Sequence, residues 1–340
     1  MNIPYRTRRF LGRFGIALAI LLMVAVVIWL CWVVWLERYI VYDRSGATLN
    51  FELPDQLPVG EVAVEPTDDM AVSVYYNEGN NQINTSHELT QLMGYYADEA
   101  ALEGGIDAVR SQITALPTSV PIMLDVKNAR GQFFYTSSVS SVTDSAIDTA
   151  ALDQLIADLA KTDRYLIARL PGLRDREFGL NNVDCGLFLP SGIGLWMDEG
   201  GCYWLDPTAT GTVTYLIRIV NELKELGFDE VVFDEFRFPN TDGFTFSGDK
   251  QEALASGAEM LVSSCTTDYF AVSFISTGTS FPLPEGRSRL YLTGIDAADV
   301  KGLSEDSGLT DPEIRLVFLS ESNDTRYDVC GVLRPLELAY

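Results

Sequence analysis

Histidine is almost missing from this chain of 340 residues: His87 is the single one. A His-rich metal site, an Asp-His-His centre of the deacetylase sort or a Ser-His-Asp triad would each have to draw on that one residue. His87 stands beside Glu88 in a polar stretch and reads as a surface side chain. A phosphate loop is missing as well, because no G-x-x-x-x-G-K-[ST] run occurs and Gly104-Gly105 falls inside a helix-like stretch. Nucleotide chemistry is thereby disfavoured, and neither a cofactor nor a metal is expected.

Positive charge is scarce. Lys and Arg number 24 against 48 Asp and Glu, a net charge of −24. Five arginines and one glutamate lie in the first 40 residues, so the remainder carries −28. Such a surface repels nucleic acid and other polyanions, although a solvated acidic surface names no partner by itself. Cysteine is sparse too: beyond Cys31 there are Cys185, Cys202, Cys265 and Cys330, none at zinc-site spacing. A bridge between Cys185 and Cys202, which flank one loop, is the preferred pairing and would leave Cys265 with Cys330; free buried thiols are the alternative.

Charge vanishes altogether from residues 14–36, an apolar run long enough to cross a bilayer as a helix. Arg6, Arg8, Arg9 and Arg13 precede it, so residues 1–13 are expected in the cytoplasm and everything past the span outside. The bulky VVWLERYI that follows offers no small-x-small cleavage site, which predicts an uncleaved, single-pass signal anchor in the cell membrane. Residues 37–88, rich in Pro, Gly and acids, read as a linker or thin arm with one strand near 70–76.

From residue 89 to 340 short apolar runs alternate with helical stretches, the pattern of repeated βα units. Strands are predicted at 92–97, 121–126, 165–170, 231–236, 269–275, 289–292, 314–319 and 329–333. Helices are predicted at 99–116, 146–161, 207–226, 250–263 and 297–303. Eight strands predict an α/β fold, a (β/α)8 barrel of the TIM type, with residues 320–328 short for a full closing helix.

The most informative stretch is 203–239, YWLDPTATGTVTYLIRIVNELKELGFDEVVFDEFRFP. Asp206-Pro207 reads as a helix start. Val213, Leu216, Ile217, Val220, Leu223 and Leu226 form one apolar stripe, and Gly227 suits a left-handed cap. The strand after it ends in Asp234, Glu235 and Arg237, at the barrel end where chemistry is done. Paired carboxylates at a barrel mouth suit glycosidic bond cleavage, one protonating the leaving oxygen and one attacking or activating water.

Asp125 closes PIMLDV, Arg169 closes YLIAR and Asp234 closes VVFD. Strand alternation predicts that Asp234 and Glu235 cannot both face the mouth without a bulge, and Asp234 is preferred. Its partner is expected to be Asp125 or a loop acid, Asp198 or Glu199, with Glu235 the further catalytic candidate. Arg169, Arg237, Asp198, Trp196, Trp204 and Tyr203 are the candidate carbohydrate contacts. The alternatives are structural: Asp125 with Arg169 as a buried ion pair, Arg237 neutralising an acid, and the aromatics, with Phe238, as satellite cores.

GFDEVVFDEFRFP at 227–239, with WLDP at 204–207, LDVKNARGQFFY at 124–135 and YLIARL at 165–170, resembles a known family. It is the family of exported bacterial and archaeal glycoside hydrolase-like proteins whose hallmark is a GFDEIQFDYxRFP-like strand. The resemblance implies a TIM-barrel glycosidase fold, membrane-anchored members, and Asp125, Arg169, Asp234 and Arg237 at the mouth of the site. Two departures stand out: Glu235 takes a place where that family usually has Tyr, and its later S-P-M-x-Y-P-S-H-Y-like segment has no counterpart beyond Ser264. The fifth strand, YFAVSFIS, carries no acid.

Overall fold

The computed structural model describes residues 89–339, the short segments 40–43 and 46–49, and singly Met23 and Trp29. Contacts divide the chain into two units, 1–79 and 80–340. In the first, β1 (Ile40–Asp43) and β2 (Gly46–Leu49) pair as an antiparallel hairpin. Apart from Met23 and Trp29, the predicted span at 14–36 lies outside the described residues, as do the strand at 70–76 and His87. No helix among the described residues is long and apolar enough to cross a membrane.

The second unit is a closed parallel barrel of eight strands in the order β10-β3-β4-β5-β6-β7-β8-β9. These strands are β3 (Met93–Ala97), β4 (Ile122–Asp125), β5 (Leu166–Pro171), β6 (Glu230–Asp234), β7 (Ala271–Ser276), β8 (Leu290–Thr293), β9 (Leu316–Leu319) and β10 (Gly331–Pro335). Each overlaps a predicted strand. Being covered on both faces, they read as near-continuous apolar runs, and that is why they were legible. The helices around them include α1 (Glu99–Glu103), α2 (Ile106–Ala115), α3 (Thr149–Leu159), α4 (Arg176–Asn181), α5 (Thr210–Glu225), α6 (Lys250–Cys265), α7 (Val300–Asp306) and α8 (Pro312–Arg315).

Three expectations are corrected. The helix predicted at 99–116 is two helices, because Gly105 adopts φ 126°, outside helical geometry. Asp206 does not start α5. Its carboxylate accepts from the Thr208 N–H and hydroxyl at 2.8 and 2.6 Å, closing a turn, and the helix begins three residues after Pro207, at Thr210. The cysteine bridges do not form: Cys185, Cys202, Cys265 and Cys330 are free and buried. Cys265 ends α6 beside Lys224, and burial raises its thiol to about 11, while the Cys330 sulfhydryl donates to Ser304 Oγ at 3.5 Å.

Inside the barrel, side chains stack in layers. Leu92, Met123, Ile167, Val232, Ile275, Tyr291, Val317 and Leu333 form the apolar middle. Beneath it, at the amino-terminal strand ends, lies an ion pair: Arg289 Nη1 meets Glu230 Oε2 at 2.5 Å, the two side chains only 1% and 0% exposed. Arg289 also donates to the carbonyls of Thr90 and Ile314 at 2.8 and 3.2 Å, while Tyr165 and Ser273 hydroxyls donate to Glu230 at 3.0 and 2.5 Å. Removing one partner strands a buried charge. Arg289→Met is therefore expected to cost about 3–5 kcal/mol of unfolding free energy, read from the urea midpoint, and Glu230→Gln added to it should recover part of that loss.

Candidate active site

The carboxyl ends of β4, β5 and β6 place Asp125, Arg169 and Asp234 side by side. Register pairs Asp125 with Arg169 and Arg169 with Val232, so Asp234, the next inward-facing residue on β6, stands one step of about 7 Å nearer the mouth. A pocket of about 210 Å³ opens above them, lined among others by Glu99, Asp125, Arg169, Arg174, Asp234 and Glu235.

Asp125 and Arg169 form a two-armed pair, Nε to Oδ1 at 2.5 Å and Nη2 to Oδ2 at 2.8 Å. The Glu99 N–H donates to the same Oδ2 at 2.9 Å. Burial works against the Arg169 charge, but the carboxylate opposite outweighs it and holds the guanidinium above its ordinary range. The Arg169 plane lies over Tyr96 of β3, 5.6 Å from the ring centre.

Glu235 faces the same pocket as Asp234, against the alternation expected of a strand. No bulge is needed: the strand stops at Asp234, and Glu235 takes a left-handed conformation, φ 49°. A non-glycine residue in that region costs about 1–2 kcal/mol. Here the turn sends Phe236 into the core, 1% exposed, and its geometry is fixed by Gly172 N–H donating to the Asp234 carbonyl at 2.7 Å. Asp234 Oδ1 in turn accepts from the Glu235 N–H at 2.7 Å.

The long connection after β5 is not structureless. It carries α4 and short antiparallel bridges pairing Arg174 with Trp204, Gly186 with Leu205 and Met197 with Tyr203. These set Asp198 against Arg174, Oδ2 to Nε at 2.6 Å, and the same oxygen accepts from Trp204 Nε1 at 2.9 Å. Burial pushes the Asp198 carboxyl up, yet Arg174, the Cys202 N–H and the Trp204 indole together hold it below the ordinary aspartate range. Arg174 then reaches Glu235 at 3.8 Å, and Arg237 meets the other Glu235 oxygen at 2.6 Å.

The structure thus gathers Asp125, Arg169, Asp234 and Glu235 at the pocket and sets Asp198 behind Arg174. Trp204 is 4% exposed, with the guanidinium of Arg237 5.0 Å from its ring centre. Trp196 and Phe238 pack with Phe244 in a satellite cluster, and Tyr203 packs against Gly179. Glu99, Lys127, Asn128 and Arg174 also line the pocket, and the sequence marked none of them as site residues. Arg174 lies in a loop with no periodicity to flag it, and Glu99, following the helix cap Asp98, reads as an ordinary first-turn acid.

A closed parallel barrel of eight strands, with acids and arginines converging at their carboxyl ends, defines an α/β barrel of the TIM type. The chain belongs to the family described as "putative glycosyl hydrolase domain", whose model matches residues 98–269, just over half of it. No curated protein matches the sequence. Among solved structures, an exo-β-N-acetylglucosaminidase from Vibrio harveyi shares 9% identity at TM-score 0.50, over 74% of this chain and 46% of its own. An α-galactosidase from Geobacillus stearothermophilus shares 12% at TM-score 0.50, over 73% and 40%. A hypothetical protein from Ruminiclostridium thermocellum is 21% identical, over 53% of this chain and 96% of its own, at TM-score 0.45. The chain spans less than half the length of the two enzymes, and the likeness to them is one of fold.

The Asp198 cluster yields a stability prediction. A carboxyl with a depressed folded value stabilises above its unfolded value, about 3.9, and loses that contribution as pH falls through the folded value. Asp198→Ala should lower the urea midpoint at pH 7 by the equivalent of about 1–2 kcal/mol, and the gap from wild type should close as the pH is lowered below about 4.

Proposed function

We propose that this protein is a membrane-anchored, extracytoplasmic glycoside hydrolase that acts on a glycan through carboxylate chemistry at Asp234. The observation that supports it best is the convergence of Asp125, Arg169, Asp234 and Glu235 in one concave site, in a chain of a glycosyl hydrolase family. Asp234 is the reactive carboxylate in this reading. Among the described residues it forms no ion pair, whereas Asp125 and Glu235 are each neutralised by arginine. Asp125 and Arg169 shape the wall beside it, and Arg237 and Arg174 pair with Glu235.

That neutralisation of two mouth acids also favours a second reading, in which the barrel binds carbohydrate without cleaving it. The full-length chain, purified in detergent and presented with a polysaccharide panel, is expected to release reducing ends from at least one glycan. Asp234→Asn should lower that rate by about 100-fold or more with the fold intact. Binding without release, in wild type and variant alike, is the outcome that selects the binding module.

Anchoring rests on the uncharged run at 14–36 and the arginines before it. Protease added to intact cells is expected to digest the portion after the span and spare the amino-terminal tail. A shortened soluble form as the main product would mean that the segment is cleaved instead.

A further inference from the structure

Four carboxylates line the pocket, and they differ in what already engages them. Asp125 is taken by both arms of Arg169 and by a backbone N–H. Glu235 is held between Arg237 and Arg174. Asp198, proposed from the sequence as a partner, is bound to Arg174, Trp204 and Cys202, and Glu199 is exposed. Glu99 is left: it accepts one side-chain hydrogen bond, from Asn128 Nδ2 at 2.9 Å, and among the described residues forms no ion pair.

We propose that Glu99 is the general acid that works with Asp234, an assignment that rests on the glycoside hydrolase reading above. Glu99 begins α1 two residues beyond the end of β3, and β3 lies three strands from β6 in a ring of eight. Its own N–H sits on Asp125 at the end of β4, so the two side chains enter the pocket from different strand ends. Both line the one pocket, where an acid and base pair would hold a sugar and the attacking water between them.

Neighbouring groups place the two carboxyls. Asp125 accepts the backbone N–H of Glu99 itself, which seats the start of α1 against the pocket wall. Asn128 holds one oxygen of the Glu99 carboxyl: its own amide oxygen takes the N–H groups of Arg130 and Gln132 at 3.1 and 3.2 Å, and its NH2 is shared among Glu99, Gln132 and Asp144. The other Glu99 oxygen can then carry the proton. In the reaction, Glu99 gives that proton to the glycosidic oxygen as its bond to the anomeric carbon breaks. Water adds its oxygen to that carbon while Asp234 takes the water proton, and exchange with solvent restores both groups.

The test exploits leaving groups. Dinitrophenolate departs without protonation, whereas phenolate needs an acid. The full-length chain in detergent is assayed on paired 2,4-dinitrophenyl and phenyl glycosides of glucose, galactose and N-acetylglucosamine in both anomers. Glu99→Gln is expected to lose about 100-fold or more on the phenyl glycoside and less than about 10-fold on its dinitrophenyl pair, whereas Asp234→Asn loses both. Asp98→Asn, which keeps a side-chain acceptor for the Ala101 N–H, controls for disturbance of the helix start. If Glu99→Gln does not fold, Glu99→Asp, with the acid drawn back by one methylene, should show the same split. Equal losses on the two substrates, or full activity on the phenyl glycoside, overturn the Glu99 assignment alone. A wild type inactive on every pair overturns the hydrolase reading and Glu99 with it.

Discussion

The contact between Arg289 and Glu230 at the closed end of the barrel is the one on which the rest depends. Its guanidinium reaches the segments entering β3, β5, β6 and β9, through the Thr90 carbonyl, Tyr165, Glu230 and the Ile314 carbonyl. Strands that are not neighbours are thereby tied across the interior. A barrel closes only when every strand keeps its register, and a stagger fixed at one end is carried to the other. The positions of Asp125, Arg169 and Asp234 at the mouth inherit that register.

The two charged layers of the barrel behave differently because of access. At the floor, Glu230 and Arg289 are sealed, and every polar partner serves to offset the cost of burying charge. At the mouth, Asp125 and Arg169 keep 13% and 18% of their side chains exposed. Between them lies an apolar layer. Water and ligands reach one end only, so chemically equal carboxylates have unequal prospects: Glu230 is a structural group, and the acids of the mouth are the ones a substrate can touch.

Much of this was legible in the sequence, for an identifiable reason. Strands buried on both faces announce themselves as short runs of Val, Ile, Leu and Phe, and the acid or arginine that ends a run marks the mouth. Local turn chemistry was less legible. Gly105 breaks a helix that periodicity would continue, and Asp206 closes a turn in place of capping α5, because the same residue types serve both ends. The cysteine pairing failed on another count: closeness to one loop says nothing of where two thiols point. The sequence marked Glu235 as a candidate but not the turn that brings it to the pocket, since strand alternation holds only while the strand lasts, and its left-handed conformation accompanies the packing of Phe236. Arg174 and Glu99 became visible only once the loop after β5 and the start of α1 were placed against the strand ends.

The mouth also shows why counting acids does not locate chemistry. The chain carries twice as many acidic as basic residues, and four carboxylates face one small pocket, yet arginine neutralises two of them. An acid held by a guanidinium is oriented by it, with its oxygens already engaged. The acids engaged only by neutral amides, Asp234 through the Glu235 N–H and Glu99 through Asn128, retain an oxygen free to give or take one. Fold alone does not assign work to any of them, and the division of the carboxylates into clamped and free is the observation from which the proposed roles are drawn.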